Sequence, residues 1–184
     1  NKLKDFDSIK EELRVIREVA DKYEVELEFL RWEQTHTDEL VAESPVMRQI
    51  VNMAVKIAPV DSTVLLEGPS GVGKGVIGQL IHNNSLRTDG PFIKIDCGLI
   101  PEHLLESELF GYEKGAFTGA DPGGKKGRVY MANGGTLFLD EIGEMPLNLQ
   151  PKLLRLIQDR VITRVGGEEE LPVNVRVIAA TNRN

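Results

Sequence analysis

The chain carries two kinds of hydrophobic pattern, one near its N terminus and the other in the rest. Near the N terminus, apolar residues alternate at spacings of three and four, which is the heptad pattern of a coiled-coil helix. The a positions hold Phe6, Leu13, Ala20 and Leu27, and the d positions hold Ile9, Ile16, Tyr23 and Leu30. Opposite charges at flanking positions, such as Glu12 and Arg17, favour a parallel dimer. We predict that residues 1–35 form a helical linker that dimerises through residues 6–30; the alternative is an amphipathic helix packed on its own domain.

Beyond a polar stretch, short apolar runs alternate with helical patterns, as in α/β proteins. Ser44 followed by Pro45 predicts a helix that ends before Pro59. Buried strands are predicted over residues 64–67, 92–96, 136–139 and 175–180, and helices over residues 76–83 and 101–110. Another helix is predicted with Asn148 as its cap, which puts Pro151 in the first turn. We therefore predict that residues 36–184 form a parallel sheet with helices on both faces.

A glycine-rich loop joins the first of these strands to its helix. Its residues are Gly68, Pro69, Ser70, Gly71, Val72, Gly73, Lys74 and Gly75, and Val76 follows in the helix. A strand, a glycine loop with a lysine, and a helix form the phosphate-binding arrangement, in which Lys74 contacts the outer phosphates. The alternative is an ordinary glycine-rich turn. Gly75 replaces the serine or threonine whose hydroxyl usually binds Mg²⁺, so either the metal takes its protein ligands elsewhere or catalysis is impaired.

Two carboxylates follow the predicted strand over residues 136–139. Ligands of open α/β sheets bind at the carboxyl ends of the strands, where this strand delivers Asp140 and Glu141. Asp140 is a candidate Mg²⁺ ligand, and Glu141 is a candidate base for an attacking water. The alternative is a strand that ends in a solvated acidic turn. Thr181 and Asn182 end the last predicted strand, where they either contact the nucleotide or only form a turn.

A long loop between predicted elements presents an aromatic residue between glycines. Its central residues are Gly115, Ala116, Phe117, Thr118, Gly119 and Ala120. Nothing local would bury Phe117 or Thr118, so the loop either presents an aromatic side chain to a partner or is a flexible surface loop with a tucked-in phenylalanine. A second turn, over residues 166–170, is predicted to be the tip of a hairpin.

The composition narrows the function further. A formal net charge of −7 gives no global indication of binding to nucleic acid or to an anionic membrane. The single cysteine, Cys97, excludes a disulfide framework and fits a reducing compartment, so we expect a cytoplasmic protein. No apolar run is long enough to span a bilayer, and no membrane partner is expected. Because the sequence starts without methionine and stops directly after a strand-like run, we expect an internal piece of a longer protein.

Taken together, these residues resemble the AAA+ ATPase domain of sigma-54-dependent bacterial transcription activators. The sequence over residues 115–120, Gly-Ala-Phe-Thr-Gly-Ala, matches the signature of that family. The flanking segments, residues 105–111, 134–144 and 177–182, also match. The resemblance covers residues 38–184.

The resemblance implies a P-loop AAA+ fold and roles for the matching residues. It implies residues 68–74 as Walker A, Asp140 and Glu141 as Walker B, Thr181 and Asn182 as sensor I, and residues 166–170 as a second pore-facing loop. It also places Val41 beside the nucleotide, and Phe117 and Thr118 at the loop tip that engages sigma-54. The implied activity is hydrolysis of ATP with Mg²⁺ in a ring, usually a hexamer, which remodels the closed complex of the sigma-54 RNA polymerase holoenzyme.

The chain also departs from the family pattern. Gly75 stands where the family usually has glutamate, and Asp96 stands where an asparagine often orients the catalytic glutamate. Ala42 replaces a glycine common near the adenine. The trans-acting arginines, the last core strand, the helical lid and the helix-turn-helix that contacts promoter DNA are all expected beyond Asn184. We therefore expect this piece to hydrolyse ATP poorly or not at all and not to bind promoter DNA by itself.

Two rival functions remain at the level of sequence. A nucleotide-sensing scaffold would bind ATP without productive turnover, and Gly75 and Asp96 are its best support. The intact pair Asp140 and Glu141 argues against it. A metabolic P-loop kinase is a weaker rival, because it leaves the signature at residues 115–120 unexplained.

Overall fold

The computed structural model describes residues 44–183. The division into compact units falls between Lys56 and Ile57. Helix α1 (Pro45–Ile57) starts as predicted, with the Ser44 Oγ accepting a hydrogen bond from the Met47 N–H at 3.1 Å. The heptads and Val41 lie outside the described residues, so the dimer and the contact of Val41 with nucleotide stay predictions.

The unit that begins at Ile57 alternates strands and helices. In chain order these are β1 (Val64–Glu67), α2 (Lys74–Asn83), β2 (Phe92–Asp96), α3 (Glu102–Phe110), β3 (Gly111–Tyr112), β4 (Lys125–Lys126), α4 (Arg128–Met131), β5 (Thr136–Asp140), a 3-10 turn (Ile142–Glu144), α5 (Gln150–Asp159), β6 (Val161–Thr163), β7 (Glu170–Pro172) and β8 (Arg176–Thr181). The bounds of the predicted strands and of the helices α2 and α3 are confirmed to within one residue or two. The predicted burial of β1 was wrong, because β1 is an edge strand whose residues alternate between half-buried and exposed. Among the described residues, no helix has the length and apolar character needed to cross a bilayer.

Four parallel strands form the central sheet in the order β1, β8, β5, β2. This confirms the predicted α/β fold with a parallel sheet. Glu67 aligns with Thr181, and Asp96 aligns with Asp140, so the carboxyl ends of all four strands meet at one edge. Any ligand bound at this edge contacts residues from several strands at once.

The middle strand β5 is buried on both faces, because its side chains alternate between two layers of helices. On one face Phe138 packs under α2, where Gly78 leaves room for its ring. On the other face Leu137 and Leu139 join the main hydrophobic core with Leu105 and Leu156, which come from α3 and α5. The alternation fixes which residues point towards which layer.

The predicted start of α5 was wrong by one residue. The N-cap is Leu149 rather than Asn148, and no side chain caps the helix. Leu149 is 2% exposed in the core and its N–H bonds to the Pro146 carbonyl at 3.0 Å, whereas Asn148 faces solvent. Burial of the leucine therefore decides where the helix begins. Pro151 lies in the first turn, as predicted.

Two antiparallel pairs project from this core. β3 and β4 pair and close the loop that contains residues 113–124. β6 and β7 pair with Thr163 opposite Glu170, which confirms the predicted hairpin and gives it a turn over residues 164–169. Both loops are therefore held at their base by strand pairing.

Candidate nucleotide site

An open cavity of about 400 Å³ lies at the carboxyl edge of the sheet. It is lined by Ser70, Gly71, Gly73, Lys74, Gly75, Val76, Lys94, Asp96, Asp140 and Glu141. The structure thus brings the glycine loop and the two strand-end carboxylates together, as the sequence predicted. Pro69 and Val72 belong to the same loop but do not line the cavity.

The conformation of the glycine loop explains two of its glycines. Gly71 and Gly73 have φ angles of 81° and 93°, in the left-handed region that other residues rarely adopt. Gly73 also begins α2, because its carbonyl accepts the Val76 and Ile77 N–H groups at 3.0 and 3.1 Å. The first N–H groups of the helix, which have no acceptor within it, are available to a phosphate.

Lys74 is buried at the first position of α2 and is held by its own loop. Its Nζ donates to the Gly68 carbonyl at 2.9 Å and to the Pro69 carbonyl at 3.1 Å. The same Nζ lies 3.8 Å from the Glu141 Oε1. The ammonium is therefore fixed between the loop and the second carboxylate of the strand end.

The two strand-end carboxylates have different partners. The Asp140 Oδ1 accepts the Glu141 N–H at 3.2 Å, and its Oδ2 lies 3.0 Å from the Lys94 Nζ. The Glu141 Oε2 accepts the backbone N–H of Asn182 at 3.3 Å. Glu141 has a φ of 50°, a left-handed conformation that carries strain in a residue other than glycine. The strained turn directs its carboxylate to the end of β8.

Asp96 lines the cavity but does not hold Glu141. Its Oδ1 accepts the Gly98 and Leu99 N–H groups at 3.0 and 3.2 Å and so closes its own turn. Among the described residues, no hydrogen bond joins Asp96 to Glu141. Burial, followed by the charges of Asp96 and Asp140, raises the pKa of the neighbouring Cys97 thiol to about 12, so Cys97 stays a protonated core residue.

Thr181 and Asn182 contribute to the site through the backbone. The Thr181 side chain is buried, and its Oγ1 accepts the Arg183 N–H at 3.1 Å. Asn182 contacts Glu141 with its N–H rather than its amide. Neither residue lines the cavity. The Thr181 carbonyl accepts the Gly68 N–H at 3.2 Å, so the structure brings Thr181 to the glycine loop and Asn182 directly to Glu141.

Mg²⁺ fits this donor set only together with a bound phosphate. Asp140 offers the hard carboxylate oxygen that Mg²⁺ prefers, and Gly75 offers no side-chain ligand. Over residues 44–183, no group of three or more His, Cys, Asp or Glu side chains is placed to hold a metal by itself. Mg²⁺ commonly binds through one or two carboxylates and substrate phosphates, which matches what the cavity provides.

Lys94 is a cavity residue that the sequence analysis missed. It lies in the middle of β2, two residues before Asp96. Because side chains on a strand alternate, Lys94 and Asp96 share one face of the predicted strand. This shared face was the signal that could have identified Lys94 as a site residue. Sequence alone did not show which carboxylate it would reach.

The loop with residues 115–120 lies outside the cavity lining. Gly115 and Gly119 have φ angles of 74° and 91° and turn the chain on either side of the tip. The Phe117 side chain is 44% exposed, and its ring meets the Tyr112 ring edge to face at 5.0 Å. The aromatic side chain is thus held in place while much of its surface remains open to solvent.

The second hairpin, which β6 and β7 form, packs directly against this loop. The Glu113 N–H donates to the Val165 carbonyl at 2.9 Å, and the Val165 N–H donates to the Gly111 carbonyl at 2.9 Å. The Arg164 guanidinium lies 2.9 Å from the Glu113 carboxylate. At the tips, a Cβ on Gly166 would lie only 2.7 Å from the Ala116 Cβ. The two loops therefore form one connected surface.

Comparison with known proteins agrees with this arrangement. The chain is 53% identical over 152 residues to the putative uric acid sigma-54-dependent transcriptional regulator UacR of Escherichia coli (strain K12), which covers 83% of this chain and 26% of that protein. It is 54% identical over 147 residues to the Nif-specific regulatory protein of Klebsiella pneumoniae, which covers 80% of this chain and 28% of that protein. The chain spans half or less of the length of the curated relatives it matches.

A solved structure shares the fold. The crystal structure of NtrX from Brucella abortus in complex with ATP superposes with a TM-score of 0.72 at 35% identity, covering 90% of this chain and 36% of that chain. The family model described as the Sigma-54 interaction domain matches residues 40–184. On these grounds the chain belongs to the sigma-54 interaction domain family, the AAA+ P-loop domain of sigma-54-dependent transcriptional regulators.

Proposed function

We propose that the cavity at the carboxyl edge binds ATP with Mg²⁺ and hydrolyses it. The observation that carries this proposal is the convergence of Lys74, Asp140 and Glu141 on one cavity beside the start of α2. The crystallised complex of NtrX from Brucella abortus with ATP supports the choice of nucleotide. The roles of the individual residues follow from their chemistry.

The glycine loop and Lys74 bind the phosphates. The free N–H groups at the start of α2 and the Lys74 ammonium are donors for phosphate oxygens. Asp140 holds Mg²⁺, which neutralises charge on the phosphate oxygens when bound. Binding of phosphate draws Lys74 towards a stronger acceptor than the Gly68 and Pro69 carbonyls that it contacts here.

Glu141 acts as the base. Its carboxylate takes a proton from a water whose oxygen forms a bond to the γ-phosphorus, while the bond from that phosphorus to the bridging oxygen breaks to give ADP and phosphate. In the structure Glu141 is held by Asn182 and lies near Lys74. The end of β8 thus sets the position of the base, and a nucleotide that attracts Lys74 weakens one of its two restraints.

The test is ATP turnover, measured as phosphate release on a chain extended through the helical lid expected beyond Asn184, with Glu141→Gln as the matched variant. We expect the unaltered protein to release phosphate at a rate that rises with protein concentration, and the variant to bind ATP with turnover reduced at least about 100-fold. Failure of both proteins to bind ATP would overturn the proposal. Equal turnover in both would remove Glu141 from the mechanism.

The second candidate function is a scaffold that binds ATP without turnover. One observation favours it: Asp96 closes its own turn instead of contacting Glu141. Binding of ATP with no phosphate release at any protein concentration would select this candidate. Asp96→Asn would then be the first change to test for gain of turnover.

We also propose that the loop with residues 115–120 engages sigma-54 and that ATP hydrolysis drives remodelling of the polymerase through it. Support comes from the half-exposed Phe117 and from the contacts that tie this loop to the second hairpin. Phe117→Ala should abolish binding to purified sigma-54 while ATP binding stays unchanged. Leu147→Ala, which removes another exposed apolar side chain, is the control. Loss of sigma-54 binding in both variants would contradict a specific contact.

Self-association completes the proposal. We infer a dimer through residues 6–30 and a ring, of hexameric size, through the ATPase domain. Sedimentation mass at rising protein concentration tests both, with Ile16→Asp to disrupt the predicted seam. A mass that Ile16→Asp leaves unchanged at low concentration would contradict the dimer, and the lack of a larger species with bound nucleotide would contradict the ring.

A further inference from the structure

Both carboxylate oxygens of Asp140 have a partner in the structure. Its Oδ1 accepts the Glu141 N–H at 3.2 Å. Its Oδ2 lies 3.0 Å from the Lys94 ammonium, within hydrogen-bonding distance. A metal bound directly to the outer oxygen would lie close to the Lys94 ammonium, and the two cations would repel each other. Binding through a water would still place two cations close together, where they repel each other.

The end of the Lys94 side chain lies close to Gly75. A Cβ on Gly75 would lie 3.2 Å from the Lys94 Nζ, so a side chain there would meet the ammonium. The ammonium also lies 5.5 Å from the centre of the Phe138 ring, whose face attracts cations. Gly75 and Phe138 thus form the walls between which Lys94 reaches Asp140.

Lys94 can also move. Its side chain is 51% exposed, compared with 8% for Lys74. Lys74 is anchored by two backbone carbonyls, whereas Lys94 contacts one carboxylate and one aromatic ring. The cavity therefore holds one fixed lysine and one lysine able to change partners.

We propose that Lys94 is a tethered cation that pairs with the metal-binding oxygen of Asp140 when no nucleotide is bound, is shared between that oxygen and the phosphates when ATP binds without Mg²⁺, and contacts the phosphates alone when Mg²⁺ takes the oxygen. This inference rests on the proposed binding of ATP in the same cavity. It adds a second positively charged contact for the nucleotide in the cavity that Lys74 also lines. It also makes Lys94 a competitor of Mg²⁺ for Asp140.

Removal of the Lys94 charge should have opposite effects on binding of ATP without Mg²⁺ and on binding of Mg²⁺. Without Mg²⁺, Lys94 supplies positive charge to the phosphates, so its removal weakens binding of ATP. With Mg²⁺, its removal frees Asp140, so a lower Mg²⁺ concentration saturates the site. If Lys94 only neutralised the cavity from a distance, its removal would not both weaken metal-free binding of ATP and lower the Mg²⁺ requirement.

The experiment measures ATP affinity by calorimetry in EDTA and, separately, the Mg²⁺ concentration that half-saturates ATP binding. The variants are Lys94→Gln, the charge-conserving Lys94→Arg, and Lys126→Gln, which removes an equal charge from strand β4. We expect Lys94→Gln to raise the Kd for ATP in EDTA about tenfold and to lower the half-saturating Mg²⁺ several-fold. Lys94→Arg should stay within about threefold of the unaltered protein in EDTA. Circular dichroism checks that all variants fold.

Three results would overturn the inference. They are an ATP affinity of Lys94→Gln in EDTA equal to that of the unaltered protein, an unchanged Mg²⁺ requirement in Lys94→Gln, and the same shifts in Lys126→Gln. In each case the unaltered protein still binds ATP, so the proposed function stands. If the unaltered protein binds no ATP with or without Mg²⁺, the proposed function itself fails and the inference fails with it.

Discussion

The two edges of the central sheet both carry a cluster of charged residues, but the clusters are built differently. At the carboxyl edge, Lys94 and Asp140 pair beside an open cavity. At the amino edge, the Arg87 guanidinium forms a two-point contact with Asp61 at 2.7 Å and also donates to the Asn174 side chain at 2.6 Å. The amino edge is therefore cross-linked within the chain.

Arg176 completes the amino-edge cluster. It is 2% exposed and donates to the Ala58, Ile57 and Ser62 carbonyls at 2.5, 3.1 and 3.3 Å. Burial lowers its pKa, and the hydrogen bond from Arg87 is the first cause of the lowered pKa of Asp61. Charge alone therefore does not identify a binding site. What distinguishes the carboxyl edge is a cavity beside charged groups that can change partners.

The substitution with the largest expected effect tests the amino edge. Arg176→Met should lower the free energy of unfolding by roughly 3 kcal/mol, because it leaves buried carbonyls without their donor. Urea unfolding measures this, and calorimetry should find the Kd for ATP unchanged. A weaker ATP affinity with unchanged stability would break the distinction between the two edges.

The converse change tests the carboxyl edge. Lys74→Met should weaken ATP binding roughly 100-fold, since it removes a charged donor to the phosphates. Its unfolding free energy should stay within about 1 kcal/mol of the original, because Gly68 is half-buried and Pro69 is exposed, so water can bond to the carbonyls that Lys74 releases. The same two measurements apply. A large loss of stability with intact ATP binding would show that Lys74 is a structural residue.

Helix α2 runs between the two clusters and offers a matched pair of substitutions. A Cβ on Gly78 would lie 2.3 Å from the fully buried Phe138 ring, so Gly78→Ala should cost about 1–3 kcal/mol of stability. A Cβ on Gly75 meets only the end of the flexible Lys94 side chain, so Gly75→Ala should gain up to about 1 kcal/mol from helix propensity. Thermal unfolding compares them. Equal losses would show that Lys94 is not free to move.

The smallest effect concerns pH and lies at the last turn of α2. His82 is 3% exposed, and its Nδ1 lies 2.9 Å from the Thr136 Oγ1. Burial is the main cause that lowers its pKa from the ordinary 6.5. Its contribution to stability is therefore complete above about pH 6.5 and is lost as the pH falls towards the lowered pKa, because the unfolded chain takes up the proton first.

The slope of unfolding free energy against pH measures this effect. Uptake of one proton limits it to about 1.4 kcal/mol per pH unit. His82→Gln, which keeps a polar partner for Thr136, should flatten the slope between about pH 6.5 and 5 without changing the Kd for ATP at pH 8. An unchanged slope in this variant would assign the pH dependence to other groups.

Local signals accounted for most of the fold and for every residue that lines the cavity except Lys94. The conformations of Gly71 and Gly73 need glycine whatever surrounds them, so the loop was visible in the sequence. The strands β2 and β5 were visible because each is a short, largely apolar run that follows a glycine-containing turn. The start of α5 was not visible in the sequence, because the burial of Leu149 outweighed the capping preference of Asn148.

The contacts that set the chemistry depend on strand order, which the sequence does not contain. The sequence determined the glycine loop, the strand-end carboxylates and the aromatic loop, because each is a local pattern of a few residues. Only the tertiary structure placed β5 between β2 and β8. This order puts Lys94 of β2 on Asp140 and the end of β8 on Glu141. Neighbouring strands lie about 5 Å apart, so side chains distant in the sequence make the contacts that decide which carboxylate is held and which lysine holds it.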